Sequence, residues 1–244
     1  MQTQTLLEYA KFSRKRAKRA LEYGLPAAVL CAILLIQIPQ IDLALSALFF
    51  RAKDAGFPAE VSGFWLSHSP VLVSFYHAID VMSRIALVVS AVMLIWYLVR
   101  KNAKAFYAAV VLLSLIAGPM LAVNAGLKES WGRARPRDVV EFGGAQKFTP
   151  AWVISDQCTH NCAFTSGHAA AGFSICIGFF VSRRKIWLNG GLLFGGLVSL
   201  SRMMNGAHFF SDVLFSFFVV FISAAIMTWL LAALTLRCLK VEVK

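Results

Sequence analysis

The chain has 244 residues, 59% of them hydrophobic and only 15% charged, with a formal net charge of +12. A mean hydropathy of +0.68, with the apolar residues gathered in long blocks, excludes an ordinary soluble domain, which is nearer half apolar and a quarter charged. The basic excess does not mark a nucleic-acid partner, because it collects at the ends of the apolar blocks as a solvated, headgroup-facing rim.

A helix needs roughly 20 apolar residues to cross about 30 Å of hydrocarbon. Six blocks read this way, at 23–38, 77–99, 105–127, 165–182, 187–204 and 212–236. The expected fold is therefore all-α: a polytopic membrane protein with a bundle of six transmembrane helices, forming one domain over 1–244. Residues 1–22 are basic, with Lys11, Arg14, Lys15, Arg16, Lys18 and Arg19 ahead of the first block. That arrangement resembles the front of a secretory signal, but no small-x-small cleavage site follows, so the first helix is expected to be retained.

Residues 39–76 carry Asp42, Ser46, Phe49, Phe50, Phe57 and Trp65, which suggest an amphipathic segment lying in the outer interface. Such a segment can act as a collar for the bundle or guide a lipid towards a site. In the second block Asp80 and Arg84 are one helical turn apart, the spacing of a local ion pair rather than of a catalytic group. Arg100, Lys101 and Lys104 separate the second and third blocks, and Arg183, Arg184 and Lys185 the fourth and fifth. Arg237, Lys240 and Lys244 follow the sixth. Alternating crossings place all these cations on one side with the basic start of the chain. Cytoplasmic loops carry such an excess, so both termini are expected in the cytoplasm. The fourth and fifth blocks are rich in Gly, Ala and Ser, which suits close helix packing better than contact with lipid.

The same topology brings three polar islands to the outer face. The first runs from Lys128 to Pro136 and opens the outer loop 128–164; it includes Arg133 and Arg135, and Arg137 follows it. The second is Thr165-Ser166-Gly167-His168, and the third is Ser201-Arg202 followed by His208 and Asp212. His208 and Asp212 share a helix face if a helix begins near 208. A carboxylate hydrogen-bonded to one imidazole nitrogen leaves the other with a lone pair, able to attack phosphorus and form a phosphohistidine. Thr165 or Ser166 can cap the fourth helix, whose exposed N–H groups and dipole favour a phosphate. His168, in its first turn, can protonate the leaving oxygen. Arg135 grips phosphate with a planar fork and Lys128 supplies a point charge, with the chain expected to fold back after Lys128. Arg202 can reach the same phosphate. Arg133 and Arg137 are expected to face elsewhere, towards anionic headgroups or solvent.

Read together, Lys128-x6-Arg135-Pro136, Ser166-Gly167-His168 and Ser201-Arg202-x5-His208-x3-Asp212 resemble the signature of the type 2 phosphatidic acid phosphatase superfamily. Thr165 stands where that family usually has Pro; Pro pre-sets the first turn of a helix, whereas Thr caps it. The resemblance implies a six-helix bundle and metal-independent, cofactor-free hydrolysis of a phosphate ester or pyrophosphate. It also implies His208 as nucleophile, Asp212 as its partner and His168 as general acid. Lys128, Arg135, Ser166, Gly167 and Arg202 would hold the phosphate. Phe142-Gly-Gly, Phe148-Thr-Pro150 and Gln157-Cys158 to Asn161-Cys162 are similar to the bacterial lipid A phosphatases. Those remove a 1- or 4′-phosphate at the periplasmic face of the inner membrane. Phosphatidylglycerophosphate and undecaprenyl pyrophosphate phosphatases are the alternatives within the superfamily. An anionic-lipid binder or transporter is the alternative of another class, although it would need no oriented neutral imidazole.

Cys158 and Cys162 fall in the outer loop, where an oxidising compartment permits a disulfide. Free thiols remain a second reading. A zinc site with His160 is a third, without an apparent fourth ligand or a usual spacing. Cys31, Cys176 and Cys238 lie in or beside helices and read as small apolar fillers.

Overall fold

A computed structural model describes residues 2–52 and 63–242. Phe57 and Lys244 lie outside the described residues, as does the side chain of Lys240. The molecule is almost wholly helical. Helix α1 (Gln2–Gln37) joins the basic segment and the first apolar block in one continuous rod, with Pro26 inside it. Its N-terminal half packs Ala10, Ala17 and Ala20 against Ala224, Ala225 and Ala232 of the last helix, α9 (Phe210–Glu242). Small residues on both faces let the two backbones approach closely. The short helix α2 (Gln40–Ala47) follows, and then an antiparallel pair, β1 (Phe50–Arg51) with β2 (Gly63–Phe64).

Helix α3 (Pro70–Val99) begins with Pro at its first position, where the missing N–H costs nothing. Helix α4 (Ala105–Leu115) passes into a π-helical stretch, Ile116–Leu127, and a last turn α5, Lys128–Ser130. Pro119, within the π-helical stretch, cannot donate a backbone bond and disturbs the regular ladder there.

Among the described residues four helices are long and apolar enough to cross a membrane: Gln2–Gln37, Pro70–Val99, Ala105–Ser130 and Phe210–Leu239. The fourth and fifth blocks differ from the uniform crossings expected of them. The fourth is broken into α6 (Gly167–Phe173), a 3-10 turn (Ser174–Ile177) and α7 (Gly178–Val181). Fifteen residues of helix reach only about 22 Å, short of the hydrocarbon thickness. The fifth, α8 (Ile186–Met204), lays its glycines against this broken helix. A Cβ on Gly195 would stand 2.2 Å from the Phe173 ring. Their small-residue content therefore serves packing inside the bundle.

The collar segment also departs from expectation. Asp42 and Ser46 of α2 do not face water: both are buried, Asp42 at 1% exposure. They turn inward against the start of α9, and the reason appears in the site itself.

Candidate active site

The ends of α5, α6, α8 and α9 meet at one side of the bundle, and the three polar islands meet with them. In the first island Gly132 adopts φ +67°, and a Cβ there would stand 1.6 Å from the Ser155 carbonyl oxygen. Only glycine permits this turn, which folds the chain back and sends Arg133 inward and Arg135 along the outer loop. In the second island Ser166 caps α6, its Oγ accepting from the Ala169 N–H at 3.4 Å. The Ser166 N–H donates to Ser216 Oγ at 2.9 Å, tying the cap to α9. A Cβ on Gly167 would meet Asn124 Oδ1 at 2.4 Å, so this residue also needs to be small. Thr165 is fully buried, and its hydroxyl has no hydrogen-bond partner among the described residues.

His208 lies in the turn between α8 and α9 and is 2% exposed. Its Nδ1 stands 2.8 Å from the Ala163 carbonyl oxygen. A carbonyl can only accept, so Nδ1 carries the proton and Nε2 keeps its lone pair. The expected carboxylate partner is displaced from this role: Asp212 Oδ2 is 3.8 Å from Nδ1, beyond hydrogen-bond reach. That oxygen instead accepts the Phe209 N–H at 2.8 Å, as an N-terminal cap of α9. The tautomer inferred from the sequence survives with a backbone partner in place of the side chain. Burial, and then the charges of Arg202, Arg135 and Lys128, push the His208 imidazole well below the ordinary histidine value of 6.5. The charges of all three cations expected from the sequence to hold phosphate thus lower the value of the same ring.

Arg133 is the residue whose place the sequence reading got wrong. It faces neither headgroups nor solvent; it is 0% exposed. Its Nη1 donates to Asp212 Oδ1 at 2.5 Å and to Ser211 Oγ at 2.8 Å. Its Nη2 donates to Asp42 Oδ2 at 2.8 Å, and its Nε to the Thr149 carbonyl at 2.8 Å. Asp42 in turn accepts from the Ser211 N–H at 2.8 Å. A buried guanidinium with this many acceptors offsets the desolvation that an isolated ion would suffer. The inward turn of α2 is explained by this cluster, which locks Asp212 in place. Arg137 does stay at the surface, half-exposed beside Asp138.

His168 stacks on Tyr76 of α3, with ring centres 4.1 Å apart, and the Arg202 guanidinium lies 4.8 Å from the centre of the same tyrosine ring. Tyr76 therefore holds an expected acid and an expected phosphate ligand in one stack. Nothing in its sequence context singled it out, because the contact depends on α3 packing beside α6 and α8. His168 Nε2 and Arg202 Nε are both buried without a hydrogen-bond partner among the described residues. Orphaned polar atoms are rare inside proteins, and these two are available to a bound ligand. Arg135 is held by the outer loop: its Nη2 donates to the Asn161 carbonyl at 2.6 Å.

Asn161 belongs to the small loop closed by a Cys158–Cys162 disulfide, whose Cα atoms are 5.6 Å apart. His160 pairs with Glu129 at 2.6 Å. Of the other cysteines Cys176 is buried, Cys31 is half-buried and Cys238 is exposed, so Cys238 is no core filler. A cavity of about 590 Å³ runs from Lys128, Gly167 and His168 down between α3 and the π-helical stretch, past Asp80 and Arg84.

Such a site can bind a tetrahedral anion between cations and a helix start, with one neutral imidazole to attack it and a second to protonate what leaves. Comparison with known proteins shows the family. A profile of the PAP2 superfamily matches residues 106–236. The chain is 31% identical over 218 residues to a lipid A 4′-phosphatase of Francisella tularensis subsp. novicida (strain U112), covering 88% of this chain and 95% of that protein. It is 35% identical over 199 residues to a lipid A 4′-phosphatase of Rhizobium leguminosarum, covering 72% of this chain and 80% of the relative. No solved structure is a significant match.

Proposed function

Because the chain belongs to the PAP2 superfamily, we propose that it is a membrane phosphatase that removes the 4′-phosphate of lipid A from the periplasmic face of the bacterial inner membrane. In this reading the chain crosses the membrane six times with both termini in the cytoplasm. The broken α6–α7 segment and α8 complete the bundle from within. Basic residues at 11–19, 100–104, 183–185 and 237 then share the cytoplasmic side, as charge asymmetry requires. The outer loop and His208 face the periplasm.

The observation that carries the reading is the pairing of His208, held neutral with Nε2 free, with the three cations that act on it. Lys128, Arg135 and Arg202 bind the phosphate oxygens, and the Ser166–Gly167 start of α6 offers backbone N–H groups. His208 Nε2 attacks phosphorus, and the bond to the 4′ oxygen of the sugar breaks. His168 supplies the proton that this oxygen takes. Water then attacks the phosphohistidine, His168 accepts its proton, and inorganic phosphate leaves with His208 restored. The cations stabilise charge on the equatorial oxygens through both steps. Asp212 acts by capping α9 and fixing the turn that carries His208, with Arg133 and Asp42 holding it there.

Purified enzyme incubated in parallel with bis-phosphorylated lipid A, phosphatidylglycerophosphate and undecaprenyl pyrophosphate tests the substrate. Mass analysis is expected to show loss of one phosphate from lipid A, and fragmentation to place the loss at the 4′ position. Turnover of the prenyl pyrophosphate alone would overturn the assignment. Loss at position 1 would redirect it. A His208→Ala variant that binds lipid A without turnover fits an enzyme; undiminished phosphate release would not.

A further inference from the structure

Asp80 and Arg84 are an ion pair in a place where charge is costly. Both sit in α3, a helix apolar enough to cross a membrane. Their side chains meet at 2.7 Å and are not covered by protein, with 40% of Asp80 and 77% of Arg84 exposed. Ionisable groups within a membrane helix are expensive and face function more often than lipid. A local helix pair contributes little, too little to explain a pair kept at this depth. Tyr76, Asp80 and Arg84 follow one another at successive turns and line the same cavity as Lys128 and His168. The stripe therefore begins at the phosphate site and descends from it.

Its depth can be measured along the helix. Arg100 caps the far end of α3. At 1.5 Å per residue, Arg84 lies about 24 Å and Asp80 about 30 Å from it. The hydrocarbon layer is about 30 Å thick; with Arg100 at its inner edge, as in the topology proposed above, Asp80 lies at the outer edge and Arg84 about 6 Å inside it. Lipid carbonyls, amides and chain hydroxyls occupy that layer, between a headgroup phosphate and the acyl tails.

We propose that Asp80 and Arg84 form a recognition site for the acyl linkages of the substrate, selecting a phosphorylated glycolipid whose chains are amide-linked and hydroxylated. The inference rests on the lipid A reading above and extends it from the phosphate to the linkages beneath. Asp80 can only accept hydrogen bonds, and it takes them from amide N–H or chain O–H groups. Arg84 can only donate, and it gives to linkage carbonyls. An ester-linked phospholipid offers carbonyls but no donor. Against it Asp80 gains no partner beyond Arg84, so such a lipid binds less well than one that offers a donor.

The test compares selectivity, read as the ratio of kcat/KM on lipid A to kcat/KM on phosphatidic acid of equal chain length. A ratio is independent of how much of each preparation is folded. The double variant Asp80→Leu/Arg84→Leu removes both charges without stranding either. The exchange Asp80→Arg/Arg84→Asp restores an i,i+4 pair with donor and acceptor reversed. The ratio is expected to fall by at least about tenfold in both variants. A merely structural pair predicts no change of ratio in either variant, and that result overturns the inference alone. A wild-type enzyme that fails to prefer lipid A overturns the substrate reading, and this inference with it.

Discussion

Arg133 places one positive charge between two buried carboxylates, Asp42 and Asp212. Removing it strands both. Breaking a buried ion pair from one side costs about 3–5 kcal/mol, so Arg133→Ala is expected to lower thermal stability in detergent more than Arg137→Ala, whose side chain is half-exposed. Equal melting temperatures for the two variants would contradict the cluster. His208 makes a different prediction. Its folded value lies well below 6.5, so the ring stays neutral, and able to attack, as the pH falls through 6.5 in the free enzyme. The acid limb of log kcat/KM due to His208 is therefore expected well below pH 6.5. Replacing Lys128, Arg135 or Arg202 by Gln removes one nearby cation and should move that limb upward. A limb unmoved by all three substitutions would show that the cations do not act on His208. The motif residues themselves could be read from the sequence, because phosphate chemistry demands particular side chains at short, fixed spacings. Their partners could not. Asp42 is 91 positions from Arg133 and the Ala163 carbonyl 45 from His208, and nothing local encodes either contact.

At the scale of elements, the outer loop supports the phosphate site through a single small ring. The Cys158–Cys162 bond closes a loop of sequence separation 4, which constrains the unfolded chain by about 2 kcal/mol in a loop-entropy estimate. Its local effect is larger in consequence, because the Asn161 carbonyl inside the ring holds Arg135. Reduction, or a Cys158→Ser/Cys162→Ser variant, is expected to raise KM several-fold through Arg135 and to change kcat less. A fall in kcat at constant KM would place the ring's effect elsewhere. Helices α3, α4 and α9 were plain in the sequence because long apolar runs have one physical explanation. The break in the fourth block was not, since glycine and alanine suit a packed fragment and a full crossing alike. The packing of α8 against that block explains the glycines under either reading. Tyr76 was invisible for a similar reason: an aromatic near a helix end is ordinary until the neighbouring helices bring His168 and Arg202 to its faces.

For the whole molecule, the bundle holds a polar, cation-lined site at one end and a mostly apolar cavity, with Asp80 and Arg84 in its wall, leading away from it. That combination suits a substrate that is a phosphate at one end and a lipid at the other. Membership of the PAP2 superfamily supplies the reaction class, and the buried Arg133 ties Asp42 of α2 to Asp212 of α9. The proposed chemistry rests on His208 taking the phosphoryl group onto its ring nitrogen. The direct measurement is rapid quenching of the enzyme during turnover of ³²P-labelled lipid A, followed by isolation of the protein under alkaline conditions. Labelled protein that is stable to alkali, labile to acid and absent from the His208→Ala variant is the expected result. Undiminished labelling of His208→Ala, or full turnover by that variant without any labelled protein, would contradict it.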